Sequence, residues 1–268
     1  MPMKTTDTVS RQEILKFIEG RLPEAIPEIE ILESVDSTNT LLKSQAMQGA
    51  PHGKVVIALS QTAGRGRMGR SFYSPTGSGL YISILLRPDM AAADALILTP
   101  MTAVACLRAL RASGCDNAGI KWVNDILIGG KKAAGILVEG APDGCGGISY
   151  AVVGIGINLV SPKEGFPEPI KNIACGAFDG KEESICRNRL ISDLLAEFFT
   201  LYSRLPSTDF MVEYRKESCI IGKAVTLTDG DQRYTGRVSD IDRDASIILS
   251  CDDGVTRAFG SGEATLKT

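Results

Sequence analysis

Three glycines and three arginines fall within one ten-residue stretch, residues 61–70, which reads QTAGRGRMGR. The stretch follows directly on residues 55–59, an apolar run typical of a buried strand. A glycine-rich turn after such a strand can bring bare backbone N–H groups close to an anion. Arginine adds a planar fork of charged donors that suits phosphate or carboxylate. The pattern predicts a loop that holds a small polyanion, with ATP as the obvious candidate.

Two further clusters carry polar groups next to apolar strands. Residues 121–125 read KWVND, and Lys132 opens the following strand ahead of the sequence AAGILVEG. Residues 36–39 read DSTN at a junction between a strand and a helix, where short polar side chains ordinarily cap the helix. The same hydroxyl and amide groups could bind a polar heterocycle. Taken singly, these clusters are better explained as solvated turns and a helix cap.

Composition limits the chemistry that these clusters can perform. The chain has 268 residues, a formal net charge of −3, one histidine and seven cysteines without a CxxC pair. Catalytic triads that use histidine and zinc sites are therefore poor hypotheses. A solvated loop tip or a nucleic-acid-binding patch helped by Phe72 and Tyr73 would also explain the arginines, but the acidic net charge argues against the second. With no signal peptide and no apolar run of about 18 residues, we expect a cytoplasmic protein.

Periodicity and turn residues predict the elements that must position these clusters. We expect helices over residues 10–20, 94–112, 184–205 and 209–218, and strands over 29–35, 55–59, 79–86, 120–123, 125–128, 134–139 and 148–157. Residues 160–183 read as irregular, and four short strands between 223 and 260 predict a small antiparallel barrel. The predicted domains are an N-terminal helix and extension (1–28), a catalytic domain (29–220) and a C-terminal barrel (221–268).

Five motifs in this order and spacing closely resemble the biotin protein ligases, also called biotin–[acetyl-CoA-carboxylase] ligases. They are DSTN at 36–39, GRGRMGR at 64–70, KWVNDIL at 121–127, KKAAGILVE at 131–139 and GIGIN at 154–158. The resemblance implies an α+β fold with a mixed β-sheet and helices on one side, like biotin and lipoate ligases and class II aminoacyl-tRNA synthetases. A small Src-homology-3-like barrel would complete it. The sequence departs from the family pattern at Val123, commonly proline, and at Phe72, often tryptophan.

The resemblance implies a ligase that forms a carbon–nitrogen bond in two steps. Biotin and ATP would give biotinyl-5′-AMP and pyrophosphate, with Mg²⁺ as the metal cofactor. Biotin would then pass to one lysine of a biotin carboxyl carrier protein of acetyl-CoA carboxylase or a related carboxylase. Only about thirty residues precede the first strand, so we expect a form without an N-terminal DNA-binding domain, without nucleic-acid or membrane partners, and either monomeric or homodimeric.

The resemblance also implies which residues form the site. Biotin would contact Ser37, Thr38, Asn39, Gln61, Gly64, Arg65, Gly66, Arg67, Lys132 and Gly135. ATP or the adenylate would contact Arg65, Arg67, Arg70, Phe72, Lys121, Asn124, Lys132 and Asn158. Arg67, Lys132 and Asp125 would be catalytic, with Asp125 as a candidate for positioning Mg²⁺ or the acceptor amine. Because a carboxyl group has a pKa of about 4, biotin needs no general base for adenylation; the base that deprotonates the acceptor lysine is not assigned.

Three alternatives remain open at this point. A lipoate ligase shares the fold and the acyl-adenylate chemistry, although the loop and the KWVND cluster favour biotin. A non-catalytic biotin or adenylate sensor would have had no need to retain Arg65, Arg67 and Lys132. A nucleic-acid-binding protein would bind DNA or RNA with strong salt dependence. Release of pyrophosphate on adding biotin and ATP separates the ligase from the sensor.

Overall fold

The computed structural model describes residues 8–22 and 28–267, so residues 1–7 and 23–27 of the predicted N-terminal extension lie outside the described residues. The helices are α1 (Arg11–Ile18), α2 (Thr38–Met47), α3 (Leu98–Ala112), α4 (Arg187–Tyr202) and α5 (Phe210–Lys216). The strands are β1 (Ile29–Leu32), β2 (Val55–Ala58), β3 (Gly79–Leu86), β4 (Ala118–Lys121), β5 (Asp125–Ile128), β6 (Lys131–Pro142), β7 (Ile148–Asn158), β8 (Ala224–Asp229), β9 (Gln232–Ile241), β10 (Ile247–Cys251), β11 (Thr256–Phe259) and β12 (Glu263–Leu266).

Strands β1 to β7 form one sheet in the spatial order β1-β2-β3-β7-β6-β5-β4. β1 and β2 run parallel, and all other neighbours in this sheet run antiparallel. Every residue of β3 is buried, because this strand lies inside the sheet and both of its faces are covered. The α+β class with a mixed sheet is therefore confirmed.

Helices cover both faces of the mixed sheet, which corrects the expectation of helices on one side. Val55 and Ile57 of β2 pack into the large core that also holds the apolar faces of α1, α3, α4 and α5. Val56 points to the opposite face and packs with Leu42 and Ala46 of α2. Successive side chains of a strand alternate between faces, so the all-apolar β2 requires cover on both sides.

Helix α3 is the most hydrophobic helical segment among the described residues. A short 3₁₀ turn, Asp94–Ile97, leads into it, and together they are long and apolar enough to span a membrane by length and composition alone. Much of the segment, 61% of its most apolar window, is buried inside the protein. It packs against α4, α5 and the sheet, as a core helix does.

Strands β8 to β12 form a separate antiparallel sheet in the order β11-β10-β9-β8-β12. Four of these strands match the predicted short strands, whereas β12 lies beyond the last strand that the sequence predicted. The indole N–H of Trp122 donates to the carbonyl oxygen of Ala245 at 2.7 Å, which joins the mixed sheet to this C-terminal sheet. The domain boundaries themselves remain a prediction.

Candidate active site

A pocket lies at one end of the mixed sheet. It brings together eleven of the predicted residues: Ser37, Thr38, Asn39, Gln61, Arg65, Gly66, Arg67, Phe72, Asn124, Lys132 and Gly135. The other lining residues were not predicted as site residues from the sequence. They are Tyr81, Ile136, Leu137, Gly154, Ile155 and Gly156. Clusters far apart in sequence therefore meet at one cavity.

The Gly-Arg loop, residues 64–73, is a compact turn after β2. The Phe72 N–H donates to the Gly64 carbonyl at 2.9 Å, and the Gly66 N–H donates to the Arg70 carbonyl at 2.8 Å. Met68 lies at the tip with φ +54°. A Cβ atom on Gly64 would lie 2.4 Å from the Phe72 oxygen, so only glycine allows this closure. Gly64 thus shapes the loop from outside the pocket lining.

The three arginines of the loop point in different directions. Arg65 Nη2 lies 3.2 Å from Glu139 Oε1. Arg67 Nη1 donates to Asn124 Oδ1 at 3.1 Å, at the connection between β4 and β5. Arg70 does not line the pocket, because its guanidinium forms a two-pronged pair with Glu263 of β12 at 2.7 and 2.5 Å. That hydrogen-bonded pair raises the pKa of Arg70.

The start of α2 supplies neutral polar groups to the pocket. Ser37 caps the helix by accepting from the Thr40 N–H, as a strand-to-helix junction of this composition predicts. Thr38 donates its backbone N–H to Gln61 Oε1 at 2.9 Å, and its hydroxyl lies 3.1 Å from the same atom. Ser37, Thr38 and the following Asn39 are each at most 4% exposed. The cap therefore holds hydroxyl and amide groups rigidly in the pocket wall.

A buried hydrogen-bond network continues behind this wall. The Ser83 hydroxyl lies 2.6 Å from Asn39 Oδ1 and 2.8 Å from Thr38 Oγ1. Asn39 Nδ2 then donates to Glu139 Oε2 at 2.9 Å. Neither Ser83 nor Glu139 was singled out from the sequence. The available signal was a lone polar residue in each of two apolar strands, GLYISILL and AAGILVE.

Glycines on neighbouring strands form the floor of the pocket. Gly135 of β6 pairs with Gly156 of β7, and the Phe72 ring lies over them. A Cβ on Gly156 would lie 2.7 Å from that ring, and a Cβ on Gly154 would lie 2.2 Å from Asn39 Oδ1. The sequence requires glycine here because side chains from the loop and from α2 occupy the space.

Lys132 and Asp125 form an ion pair beside the pocket. Lys132 Nζ lies 2.7 Å from Asp125 Oδ1 and 5.7 Å from the centre of the Phe72 ring. The geometry of this pair is not that of a hydrogen bond, and among the described residues nothing donates one to the buried Asp125 Oδ1. Asn124 Nδ2 donates to the Ile136 carbonyl at 2.9 Å, which fixes the connection between β4 and β5 against β6.

Two other predicted nucleotide residues lie outside the pocket lining. Asn158, at the end of β7, is buried and donates to the Lys132 carbonyl at 3.4 Å. Lys121 lies close enough to Glu263 for its charge to help lower the pKa of that carboxyl, after the larger effects of the Arg70 hydrogen bond and charge. The predicted roles of these residues stay predictions.

The charges around the pocket favour an anionic ligand. Arg65, Arg67 and Lys132 line it, and none of the lining residues among those described is acidic. The carboxylates of Glu139 and Asp125 lie just behind two of these cations. Burial raises the pKa of Glu139, but hydrogen bonds from Asn39 and Lys43 and the charges of Lys43 and Arg65 outweigh burial and hold that pKa below its usual value. The arrangement suits a ligand with one neutral polar end and one anionic end.

Comparison with protein families agrees with this geometry. Residues 31–158 match the sequence model of the biotin/lipoate A/B protein ligase family. Residues 220–267 match that of the biotin protein ligase C-terminal domain. Together the two matches cover the pocket and the C-terminal sheet.

Individual curated relatives and a solved structure agree with these family matches. The bifunctional ligase/repressor BirA of Bacillus subtilis is 32% identical over 233 residues, covering 85% of this chain and 70% of that protein. The biotin–[acetyl-CoA-carboxylase] ligase of Mycobacterium tuberculosis is 30% identical over 230 residues, covering 83% of each. The structure of the Aquifex aeolicus biotin protein ligase in complex with biotin and ATP superposes with a TM-score of 0.71 at 26% identity, covering 90% of this chain and 99% of that one.

Proposed function

This chain belongs to the biotin protein ligase family, and we propose that both half-reactions of the family take place in the pocket described above. The family assignment makes it an ATP-dependent biotin protein ligase. The observation that carries the placement is the division of the lining of one small pocket into neutral hydroxyl and amide groups and three cations. Biotin has the same division, with a ureido group at one end and a carboxylate at the other.

At the neutral end, Thr38, Asn39 and Gln61 would bind the ureido group, with Ser37 holding the start of α2 in place. Leaving the ureido N–H and carbonyl groups unpaired in a buried site would cost roughly 1–3 kcal/mol each. The Phe72 ring and the bare backbone of Gly135 supply the apolar wall and floor for the rest of the molecule. Gly64 and Gly66 let the Gly-Arg loop close over this end.

At the cationic end, the first half-reaction forms a bond between a biotin carboxylate oxygen and the α-phosphorus of ATP. The bond from that phosphorus to the β-phosphate bridging oxygen breaks, and pyrophosphate leaves. The carboxylate is already ionised, so the protein must align the two anions and offset their charge. Arg65, Arg67 and Lys132 are placed to do so, as in other phosphoryl-group and nucleotidyl-group reactions in which electrostatic stabilisation dominates.

Nucleotide contacts beyond these cations rest on the sequence resemblance. Asn124 and Phe72 line the pocket and can contact the nucleotide directly. Asn158 braces the strand end that carries Lys132. Arg70 and Lys121 lie around Glu263 instead, so a direct contact with ATP would require Arg70 to leave that carboxylate.

Magnesium fits the site only as an ion held mainly by phosphate oxygens. The described residues contain no group of three or more His, Cys, Asp or Glu side chains arranged for a metal. The buried Asp125 Oδ1 lacks a hydrogen-bond donor among the described residues and could supply one oxygen ligand. Mg²⁺ commonly uses one or two carboxylates together with substrate phosphates, and when bound it would offset phosphate charge.

In the second half-reaction the acceptor lysine amine attacks the biotinyl carbonyl carbon, and AMP leaves. We propose that the acceptor belongs to the biotin carboxyl carrier protein of acetyl-CoA carboxylase or a related carboxylase. Asp125, beside Lys132, is the candidate for positioning the incoming amine. A cytoplasmic location and a monomeric or homodimeric state complete the proposal.

Pyrophosphate release with ATP and Mg²⁺ tests the proposal most directly. We expect release with biotin and none with lipoate or octanoate, followed by transfer of labelled biotin to a carrier domain but not to its Lys→Arg variant. Release with lipoate or octanoate alone would move the activity to the sister group of ligases. Biotin binding without any release would support a sensor instead.

A further inference from the structure

The Glu139 carboxylate, on β6, lies behind the pocket wall in contact with both Asn39 and Arg65, and does not line the cavity. Its side chain is 17% exposed. Oε2 accepts from Asn39 Nδ2 at 2.9 Å, and Oε1 accepts from Lys43 Nζ at 3.0 Å. The balance of contacts keeps its pKa low, so Glu139 is ionised at neutral pH and can only accept hydrogen bonds.

Because Glu139 can only accept, it fixes the orientation of the Asn39 amide, together with the Leu137 carbonyl, which accepts from Asn39 Nδ2 at the longer distance of 3.4 Å. Nδ2 must face the carboxylate, so Oδ1 must face Ser83 at 2.6 Å. Asn39 Oδ1 has no proton, so the single hydroxyl proton of Ser83 must point to it. Ser83 is fully buried, so solvent does not compete for that proton.

The direction of the Ser83 proton also determines what Thr38, in the pocket wall, can accept. With its proton committed to Asn39, Ser83 can offer only a lone pair to Thr38 Oγ1, 2.8 Å away. Thr38 Oγ1 therefore receives no proton from Ser83, and its own lone pairs stay available for a ligand N–H. At the other end, Gln61 Nε2 donates to Ser74 Oγ at 3.0 Å, which fixes Gln61 Oε1 toward Thr38. On the Glu139 side of Thr38, the protons of Ser83 and Asn39 therefore all point toward the carboxylate, whereas Gln61 Oε1 accepts from the Thr38 backbone N–H.

We propose that Glu139 is a positioning residue that, through Asn39 and Ser83, sets which groups of the neutral end accept and which donate when the ureido ring binds. The inference rests on the proposed function, since it assumes that biotin occupies this end. A Gln side chain at position 139 has the same shape but can donate as well as accept. Asn39 could then turn over, Ser83 would donate to Thr38, and one lone pair of Thr38 would no longer be free for a ureido N–H.

The test measures biotin affinity by calorimetry without ATP, together with KM and kcat from pyrophosphate release, in Glu139→Gln, Ser83→Ala and the double variant. Because each single variant breaks the chain of buried hydrogen bonds that positions Asn39 and Thr38, we expect each to weaken biotin binding about tenfold or more. KM for ATP and kcat at saturating biotin should change less than about threefold, since Arg67 and Lys132 are unaltered and the amide oxygen introduced at position 139 can still face Arg65. The double variant should lose no more than about the larger single loss, because both residues act through one chain of bonds.

Glu217→Gln is the matched control. The Glu217 side chain is also 17% exposed and also pairs with an arginine, Arg111 of α3, away from the pocket. It should lower the thermal midpoint while leaving biotin affinity unchanged. If Glu139→Gln does the same, the residue is merely structural and the proposal is overturned. If Glu139→Gln does not fold, unchanged biotin affinity in Ser83→Ala is sufficient to reject it.

Two other outcomes also count against the proposal. A rise in KM for ATP with unchanged biotin affinity would show that Glu139 acts through Arg65, which it also pairs with. A double variant whose loss is the product of the single losses would show that Glu139 and Ser83 act independently. Wild-type protein that neither binds biotin nor releases pyrophosphate would instead defeat the proposed function, which keeps the two failures distinct.

Discussion

The two ends of the pocket are held in different ways. At the amide end, formed by Thr38, Asn39 and Gln61, the polar groups are bonded to one another and to buried side chains. At the cation end, formed by Arg65, Arg67 and Lys132, the side chains pair with groups on other elements. The side chains of Arg65 and Lys132 remain 47% and 34% exposed.

This difference separates recognition from charge stabilisation. The ordering of the amide end is achieved during folding, so on the proposed function a ureido group would meet donors and acceptors that are already placed. Two of the three cations, Arg65 and Lys132, pair with Glu139 and Asp125. On the proposed function, these two exchange the protein carboxylates for the carboxylate and phosphate of the substrates, so they stabilise charge fully only in the reacting complex. Substitutions at the two ends should therefore change different kinetic constants.

Lys132→Ala should give the largest effect and act on the reaction step. Removing one preorganised charge from a developing anionic centre typically costs about 10²–10³-fold in kcat. Biotin affinity without ATP should change much less, because the amide end is intact. Pyrophosphate release and calorimetry measure the two quantities. The neighbouring Lys131→Ala, an exposed lysine outside the pocket, is the control, and full activity in Lys132→Ala would show that the site assignment is wrong.

Gly154→Ala should give the converse result at the amide end. The new Cβ would lie 2.2 Å from Asn39 Oδ1, so the Asn39 side chain must move and the network must break. We expect biotin affinity to fall at least about tenfold, in line with the loss of a buried hydrogen bond. In Gly140→Ala, on the paired strand β6, the Cβ meets nothing closer than 3.7 Å. Equal biotin affinities in the two variants would contradict a rigid amide end.

The sequence predicted the parts of the site that are continuous in the chain. The loop at 64–70, the junction at 36–39 and the KWVND cluster each place several polar groups within a few residues, where local rules apply. Ser83 and Glu139 enter the site only through sheet register. Gly154 pairs with Ser83 on one side and with Leu137 on the other, which aligns β3, β7 and β6 under α2. Pairing between distant strands is not encoded in any short pattern.

The position of α2 and the partner of Arg70 were not predicted from the sequence for the same physical reason. Placing α2 on the second face of the sheet required knowing that Val56, Leu85 and Val152 share a surface, and they belong to three separate strands. The partner of Arg70 is Glu263, 193 residues later in the chain. That residue lies in β12, which the sequence analysis did not predict. Long-range partners therefore account for what was missed.

The pH dependence of stability tests the contribution of the Glu139 carboxylate to the folded state. The pKa of Glu139 lies below its ordinary value of 4.5 in the folded protein, so its contribution to the free energy of unfolding is fully present above that value. It is lost as pH falls through the folded pKa. We therefore expect the difference in thermal midpoint between wild type and Glu139→Gln to be constant from neutral pH to about pH 5 and to shrink below 4.5. A difference that grows on acidification would contradict the low pKa.

Arg70→Ala should give the smallest effect, because Arg70 belongs to neither end of the pocket in this structure. Its pair with Glu263 is exposed, with 64% of the arginine side chain accessible, and such pairs contribute about 0–1 kcal/mol to stability. Arg215→Ala, which removes a similarly exposed pair between α5 and Asp240 of β9, is the matched control for stability. Pyrophosphate release should fall less than about threefold in Arg70→Ala, far below the loss in Lys132→Ala. A loss as large as that of Lys132→Ala would show that Arg70 leaves Glu263 and reaches the nucleotide when ATP binds. The cation end would then include Arg70, after this arginine leaves Glu263 of the C-terminal sheet.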